Sequence, residues 1–263
     1  MKILTIGDIC GEIGLVALNK ALPELVKAYS PDLIIVNGEN ADGLGITPVQ
    51  VERIFAAGAH VITLGNHTFN RSQIAKVLDK DEHVLRPLNF THYAPGGGYV
   101  EVQRCGMTVG VMSLIGRLYM AHNFDNPFFA AQKQLEQSSA DLIIADFHAE
   151  ATSEKIAMAY YLNDIDNRAV ALYGTHTHVQ TSDERVFANG LGYITDVGMC
   201  GAYDSILGMQ PKNAMGKYLG QLTERNTAPK SGVTVVEGAV FTINIENKCC
   251  MGIERVRVFG EIK

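Results

Sequence analysis

The chain has no uninterrupted apolar run of the ~18 residues that a membrane-spanning helix needs, which excludes a transmembrane segment of that kind. It also lacks a basic excess: 22 Lys and Arg stand against 28 Asp and Glu, a net charge of −6. Binding along an extended nucleic-acid backbone draws on clustered Lys and Arg, so no extended nucleic-acid surface is expected. A small anionic substrate would instead need a local positive charge, such as a metal. Cysteine is sparse and unpatterned. The residues at 10, 105, 200, 249 and 250 are odd in number and lack zinc-like or disulfide-like spacing, which fits reduced thiols. The opening MKILTIGDICGE reaches Asp8 and Glu12 too early for a signal peptide, so a cytoplasmic location is expected. No linker or low-complexity stretch interrupts the 263 residues, of which 47% are apolar and 19% charged. One large domain over 1–263 is the expectation.

Short β-rich runs alternate with helical stretches through the first half. KILTI (2–6) precedes a segment whose apolar positions Leu18, Leu22, Leu25, Val26 and Tyr29 recur at the helical period, with Pro23 expected to kink or split it. DLIIVN (32–37) is followed by a helix over 48–57, capped by Thr47 with Pro48 at its first position, and then by VITLG (61–65). Fully apolar strands of this type belong in a sheet covered on both faces. Further on, APGGGYVEV and MTVGVMSLIGR read as a turn and two strands, the first edge-like. Residues 129–139 read as a helix, and DLIIADF and AVALYG as buried strands. The tail alternates around NKCC as an antiparallel hairpin. With the β-rich second half as a second sheet of the same domain, the architecture is a sandwich of two sheets between helical layers.

The residues that follow these runs share a chemistry. ILTIGD ends at Asp8, LIIVNGEN at Glu39 and Asn40, VITLGNH at Asn66 and His67, LIIADFH at His148, and ALYGTHTH at His176 and His178. Carboxyl ends of parallel strands lie along one edge, where ligand-binding loops gather. Taken singly, Asp8 reads as a cap or turn residue, Glu39 as a ribose-binding acid, and Asn40 and Asn66 as turn residues. His67 or His148 alone reads as a half-buried histidine. HxH is the strongest element, because alternate residues of an extended segment point to the same side. Together the carboxylates, amides and imidazoles suit divalent Mn, Fe, Zn or Ni better than Mg or Ca alone. The set is too large for one ion and suits two, ~3.5–4 Å apart.

The same segments resemble the calcineurin-like metallophosphoesterases, and within them the YmdB-like branch of bacterial phosphodiesterases. The resemblance rests on IGDICG (6–11), IVNGENADGLGIT (35–47), TLGNHTF (63–69), RPLNF (86–90), DFHAEATSEK (146–155), YGTHTHVQTSD (173–183) and YITDVGMCGAYDSILGM (193–209). It implies an α/β fold, a four-layer α/β/β/α sandwich with two mixed sheets and a dinuclear centre. Asp8 and His178 would hold one ion with Asn40 near or on it. Asn66, His148 and His176 would hold the other, Glu39 would bridge both, and His67 would be the general acid. Two divalent or mixed-valence transition-metal ions are expected, Fe or Mn ahead of Zn or Ni. Two departures stand out: the wider family's Asp-x-His pair has Cys10 at its second position here, and the acid common after GNHTW in the branch is Asn70.

The expected activity is hydrolysis of a phosphodiester, such as a 2′,3′- or 3′,5′-cyclic nucleotide, by water activated between the ions. Arg117, His122, Tyr203 and Asp204 are candidates for the substrate wall. His60, His83 and His92 lack strand-end placement and are expected to be structural or surface residues, and Cys10 and Cys200 packing residues. Two other readings compete. GDICGEIG with Glu39 loosely imitates a dinucleotide fold, but GxGxxG spacing is absent. A regulatory metal- or nucleotide-binding module would keep the fold with little or no turnover, and a homo-oligomer is compatible with either reading.

Overall fold

The computed structural model describes residues 1–221 and 226–263 and opens with β1 (Lys2–Ile6), a short β2 (Asp8–Ile9) and α1 (Gly11–Tyr29). Next come β3 (Leu33–Asn37), α2 (Pro48–Ala57), β4 (Val61–Thr63), α3 (Ala75–Leu78) and β5 (Val84–Leu85). The middle contributes β6 (Tyr99–Arg104), β7 (Met107–Ile115), α4 (Pro127–Gln137), β8 (Leu142–His148), α5 (Thr152–Ile165) and β9 (Ala169–Thr175). Strands β10 (Arg185–Val186), β11 (Gly192–Ile194) and β12 (Met199–Ala202) lead to α6 (Pro211–Tyr218) and a long hairpin of β13 (Gly232–Asn244) and β14 (Cys249–Ile262).

The strands form two mixed sheets. One runs β2-β12-β13-β1-β3-β4-β5, with β14 beside β13; the other runs β10-β11-β9-β8-β7-β6. Period-two alternation then sets four layers. Leu4, Ile6, Ile34, Val36 and Ile62 face α1 and α2, where they meet Leu15, Leu18, Leu22 and Ile54. Their strand neighbours Ile3, Leu33, Ile35 and Val61 face the other way and pack on Val109, Val111, Leu142, Ile144 and Tyr173 of the second sheet. The outer face of that sheet, with Leu114, Ile143 and Phe147, is covered by Leu135 of α4 and Met158 and Leu162 of α5. The architecture is the expected α/β/β/α sandwich.

Three expectations need correction. The tail hairpin does not belong to the second sheet. β13 pairs antiparallel with β1, in register Ile3 with Phe241, inside the first sheet. Its side chains are buried on both faces, Val236 and Val240 toward the helices and Ala239 and Phe241 toward the other sheet, so it fits only an interior strand. Second, Pro23 does not split α1, which runs unbroken for 19 residues. An interior proline costs about 3 kcal/mol, but Pro23 lies on the exposed face, where the carbonyl it leaves unpaired can be hydrated. The buried stripe of Leu15, Leu18, Leu22 and Leu25 holds the helix through it. Third, α4 begins two residues earlier than read, because Asn126 caps it by accepting from the Phe128 N–H, with Pro127 at the first position.

Ile35 is fully buried between the sheets. Ile35→Ala is expected to lower stability by about 2–5 kcal/mol in urea unfolding; a loss below about 1 kcal/mol would contradict a close-packed inter-sheet layer.

Candidate metal centre

Strand register brings the candidate residues together. In the first sheet Ile6 pairs with Val36 and Asn37 with Thr63, so β1, β3 and β4 end level with one another. In the second, Ile115 pairs with His148 and His148 with Thr175, so β7, β8 and β9 do the same. The residues just beyond these ends meet where the sheets face each other. Ligand atoms of Glu39, His148 and His176 all lie within 4.8 Å of one another.

The His148 ring shows what the cluster is suited to hold. Its Nδ1 lies 2.9 Å from Thr175 Oγ1, and that hydroxyl donates at 2.7 Å to Asp146 Oδ1. The Thr175 proton is thereby committed, so His148 Nδ1 is the donor and its Nε2 carries a lone pair in the neutral ring. Around Nε2 stand Asn66 Oδ1 at 3.0 Å, His176 Nδ1 at 3.0 Å and Glu39 Oε1 at 3.1 Å. Four electron-rich atoms converging without enough protons between them suit a cation. A second group lies alongside. Asp8 Oδ1 and Asn40 Oδ1 are buried with no hydrogen-bond partner, and His178 Nε2 sits 3.7 Å from Asp8 Oδ1 and 3.5 Å from Asn40 Nδ2. Burying an ionised carboxylate is costly unless it is paired or bound to a metal, so these orphaned oxygens fit a second cation. Hard oxygens mixed with imidazoles match divalent transition metals.

Outer partners aim these groups. Asp146 also accepts from Asn37 and Thr63. The outer His176 nitrogen, Nε2, lies 3.1 Å from Glu150 Oε2, which leaves Nδ1 for the centre. His178 Nδ1 donates to Leu207 O at 3.1 Å, with Cys10 Sγ 3.4 Å away, so Nε2 turns inward. Cys10 therefore touches the outer edge of His178. Asn40 donates to Glu39 Oε1, and the His67 N–H donates to Glu39 Oε2. Gly65 has no room for a side chain: a Cβ would come within 2.3 Å of Glu39 Oε2 and 2.4 Å of His148 Nε2.

The reading of GTHTH as an extended segment is overturned. β9 ends at Thr175, and His176 (φ 94°) and His178 (φ 61°) are both left-handed. Such backbone costs a non-glycine residue of order 1–3 kcal/mol and persists only where its surroundings enforce it. The two rings consequently reach different groups, His176 toward His148 and His178 toward Asp8 and Asn40.

His67 lies beside Glu39 through its backbone, and its Nδ1 meets Asn70 Nδ2 at 2.9 Å. Burial depresses its pKa, against the raising effect of Glu39. The substrate candidates stand farther out. Arg117 is exposed and its N–H donates to Glu154. Exposed His122 packs edge-on against Phe124, which stacks on Phe90 at 4.8 Å, and Phe90 tilts against Phe69. Tyr203 packs on Phe259, and Asp204 is exposed. No hydrogen bond or ion pair among the described residues ties these four to the cluster. His60 Nδ1 accepts from the Ile34 N–H, a structural role, and His83 and His92 are on the surface. Sequence reasoning missed Asp146, Glu150 and Thr175. Asp146 was detectable as the one charge inside LIIADFH, whereas Glu150 and Thr175 carried no signal apart from proximity to histidines.

Electrostatics couple the cluster to protons. Burial raises the Asp8 pKa, but the nearby His178 ring, the charge of His148 and the His176 N–H outweigh it and leave the carboxyl well below the usual range. Burial and neighbouring His148 push His176 down to about 3, keeping it neutral. Burial alone would depress His148, yet the charge and hydrogen bond of Glu39, with Asp8 and Asp146, raise it above 6.5. Because Nδ1 is already protonated, the added proton sits on Nε2, the position a cation would take.

Sandwich and cluster together define a hydrolase of the metallophosphoesterase class. The family model described as YmdB-like protein matches residues 4–256. A 2′,3′-cyclic-nucleotide 2′-phosphodiesterase of Bacillus subtilis is 39% identical over 261 residues, covering 98% of this chain and 97% of that protein. A novel phosphatase of Mycoplasma pneumoniae superposes with a TM-score of 0.90 at 31% identity, covering 99% of this chain and 94% of that one. A 5′-nucleotidase of Staphylococcus aureus shares the fold at a TM-score of 0.61 and 15% identity, over 97% of this chain and 54% of its own. The chain belongs to the YmdB-like family.

Metal uptake should displace the His148 proton, so affinity should rise with pH up to the raised His148 pKa. Calorimetric titration of Co²⁺ into the metal-free protein, in buffers of different ionisation enthalpy, is expected to show proton release below that pKa. Heats independent of the buffer would contradict the overlap of proton and cation.

Proposed function

We propose that this chain is a dinuclear-metal-dependent phosphodiesterase acting on cyclic nucleotides, with 2′,3′-cyclic monophosphates as the leading class. The observation that carries it is the convergence of two electron-rich groups on Glu39, with His67 on the adjoining loop. Asp8, Asn40 and His178 would hold one ion, Asn66, His148 and His176 the other, and Glu39 would contact both. Fe or Mn suits this donor set, with Zn and Ni as alternatives. When bound, such ions supply Lewis acidity and make water nucleophilic near neutral pH.

The chain's own groups do the rest. The ester would be oriented with its leaving oxygen toward His67, which donates a proton as that oxygen departs. In the present geometry Asn70 Nδ2 faces His67 Nδ1, so the neutral ring carries its proton on Nε2. The likeness to the B. subtilis enzyme supports the nucleotide class. The aromatic series Phe69, Phe90 and Phe124, reaching His122, supports stacking of a base beside the centre, with Arg117 on the same loop. Tyr203 and Asp204 remain candidates for the opposite rim.

Metal-loaded protein is expected to open 2′,3′-cyclic nucleotides faster than 3′,5′-cyclic nucleotides or phosphomonoesters. Glu39→Ala should abolish turnover together with metal binding. His67→Ala should retain metal and lower kcat by about 10²–10⁴-fold. Full kcat in a metal-replete His67→Ala enzyme would remove the general-acid role, and no hydrolysis of any ester by metal-loaded wild type would favour a binding module.

Asn70→Asp adds a carboxylate that accepts from a protonated His67 Nδ1 and stabilises the cation. A general acid is active below its pKa, so the alkaline limb of the kcat profile should move upward. An unmoved limb would show that His67 does not set it.

A further inference from the structure

DFHAEATSEK and ITDVGM contain a buried ion pair that the centre does not use. Lys155 of α5 and Asp196, beyond β11, have fully buried side chains and form an ion pair at 2.8 Å. Lys155 Nζ also donates to the Thr175 carbonyl at 2.8 Å. Asp196 Oδ2 accepts from the Thr177 N–H at 3.2 Å and the Thr177 hydroxyl at 2.7 Å, and its Oδ1 accepts from the Gly198 N–H at 2.8 Å. The pair thus grips the backbone on both sides of His176, whose own N–H donates to Asp8.

We propose that Lys155 and Asp196 are positioning residues that hold His176 and His178 in their left-handed conformations and so set the cation affinity of the centre, an inference resting on the metal reading above. Left to itself, a His-Thr-His turn relaxes to right-handed or extended backbone. Here the alternatives are closed. The strand end lies directly on the 195–198 segment: a Cβ at Gly174 would stand 1.8 Å from Thr195 O and 2.8 Å from Lys155 Cδ, and the Val197 N–H donates to Gly174 O. Thr181 extends the seam, exchanging hydrogen bonds with the Asp196 backbone. Among the described residues, Lys155 and Asp196 hydrogen-bond to the turn's backbone and Thr177 hydroxyl and not to the donor nitrogens, so they act through the peptide between them.

Stability alone gives a buried ion pair little advantage, since neutral replacements of similar volume are often tolerated. That separates positioning from a purely structural role. The double variant Lys155→Met/Asp196→Asn removes both charges together. It is expected to fold with a Tm near that of wild type, to bind Co²⁺ about 10–100-fold more weakly, and to show an altered ligand-field spectrum of the bound Co²⁺. Thr177→Val, which deletes one hydroxyl contact to Asp196 and leaves the pair intact, should weaken Co²⁺ binding by a smaller factor.

A folded double variant with wild-type Co²⁺ affinity and spectrum overturns the inference while leaving the metal reading in place. If the double variant does not fold, Thr177→Val decides: weakened affinity supports positioning, and unchanged affinity overturns it. A wild-type protein that takes up no Co²⁺ overturns the metal reading itself and this inference with it.

Discussion

One buried carboxylate ties the two sheets together beneath the candidate centre. Asp146, on β8 of the second sheet, accepts from Asn37 and Thr63 of the first and from Thr175 of its own. Among the described residues, the rest of the inter-sheet layer is mainly apolar, mostly Ile, Val and Leu with Ala, Tyr and Phe. Apolar packing sets the distance between sheets, while hydrogen bonds to a fixed acceptor set their lateral alignment. Burial raises the Asp146 pKa to about 6, against the opposing bonds of Thr63, Thr175 and Asn37 and the charge of His148. Its donors are nevertheless sufficient to satisfy both oxygens. Through Thr175 the same carboxylate fixes which nitrogen of His148 faces the cluster.

Upward from that staple, His176, His178 and Glu39 are each held by a second group. Glu150 takes the outer edge of His176, Leu207 that of His178, and the His67 backbone one oxygen of Glu39. Such outer partners remove rotational freedom before a cation arrives, so less ordering entropy opposes binding. The cluster is also costly by itself. It concentrates carboxylates and lone pairs in a largely buried space, leaves Asp8 Oδ1 and Asn40 Oδ1 without partners, and holds two histidines in left-handed backbone. Tension of this kind survives where the surrounding fold over-determines it, and here the over-determination comes from level strand ends and from the Lys155 and Asp196 pair.

Much of this was legible in the sequence because strand periodicity is local. The runs containing β1, β3, β4, β8 and β9 are apolar, short and bounded, and each is followed closely by a polar residue that packing did not require. This was enough for the layer architecture and for Asp8, Glu39, Asn66, His148, His176 and His178 as a set. Pro23 misled because whether a proline breaks a helix depends on the face it occupies, which follows from tertiary contact. The tail hairpin misled because alternation does not specify which sheet will receive a strand. Its placement against β1 depends on residues more than two hundred positions away.

For the candidate site, the sequence by itself determined the chemical inventory: which donors exist, that they follow strands, and that oxygen and imidazole are mixed. Only the tertiary structure decided how they are used. The turn at GTHTH is left-handed because Asp8, Lys155 and Asp196, none of them nearby in sequence, hold its polar backbone groups. The inward nitrogen of each ring was likewise decided by partners from other elements. Residue types are a property of the chain, but the direction of a lone pair is set by whatever hydrogen-bonds to the other side of the ring, and that neighbour arrives only with the fold.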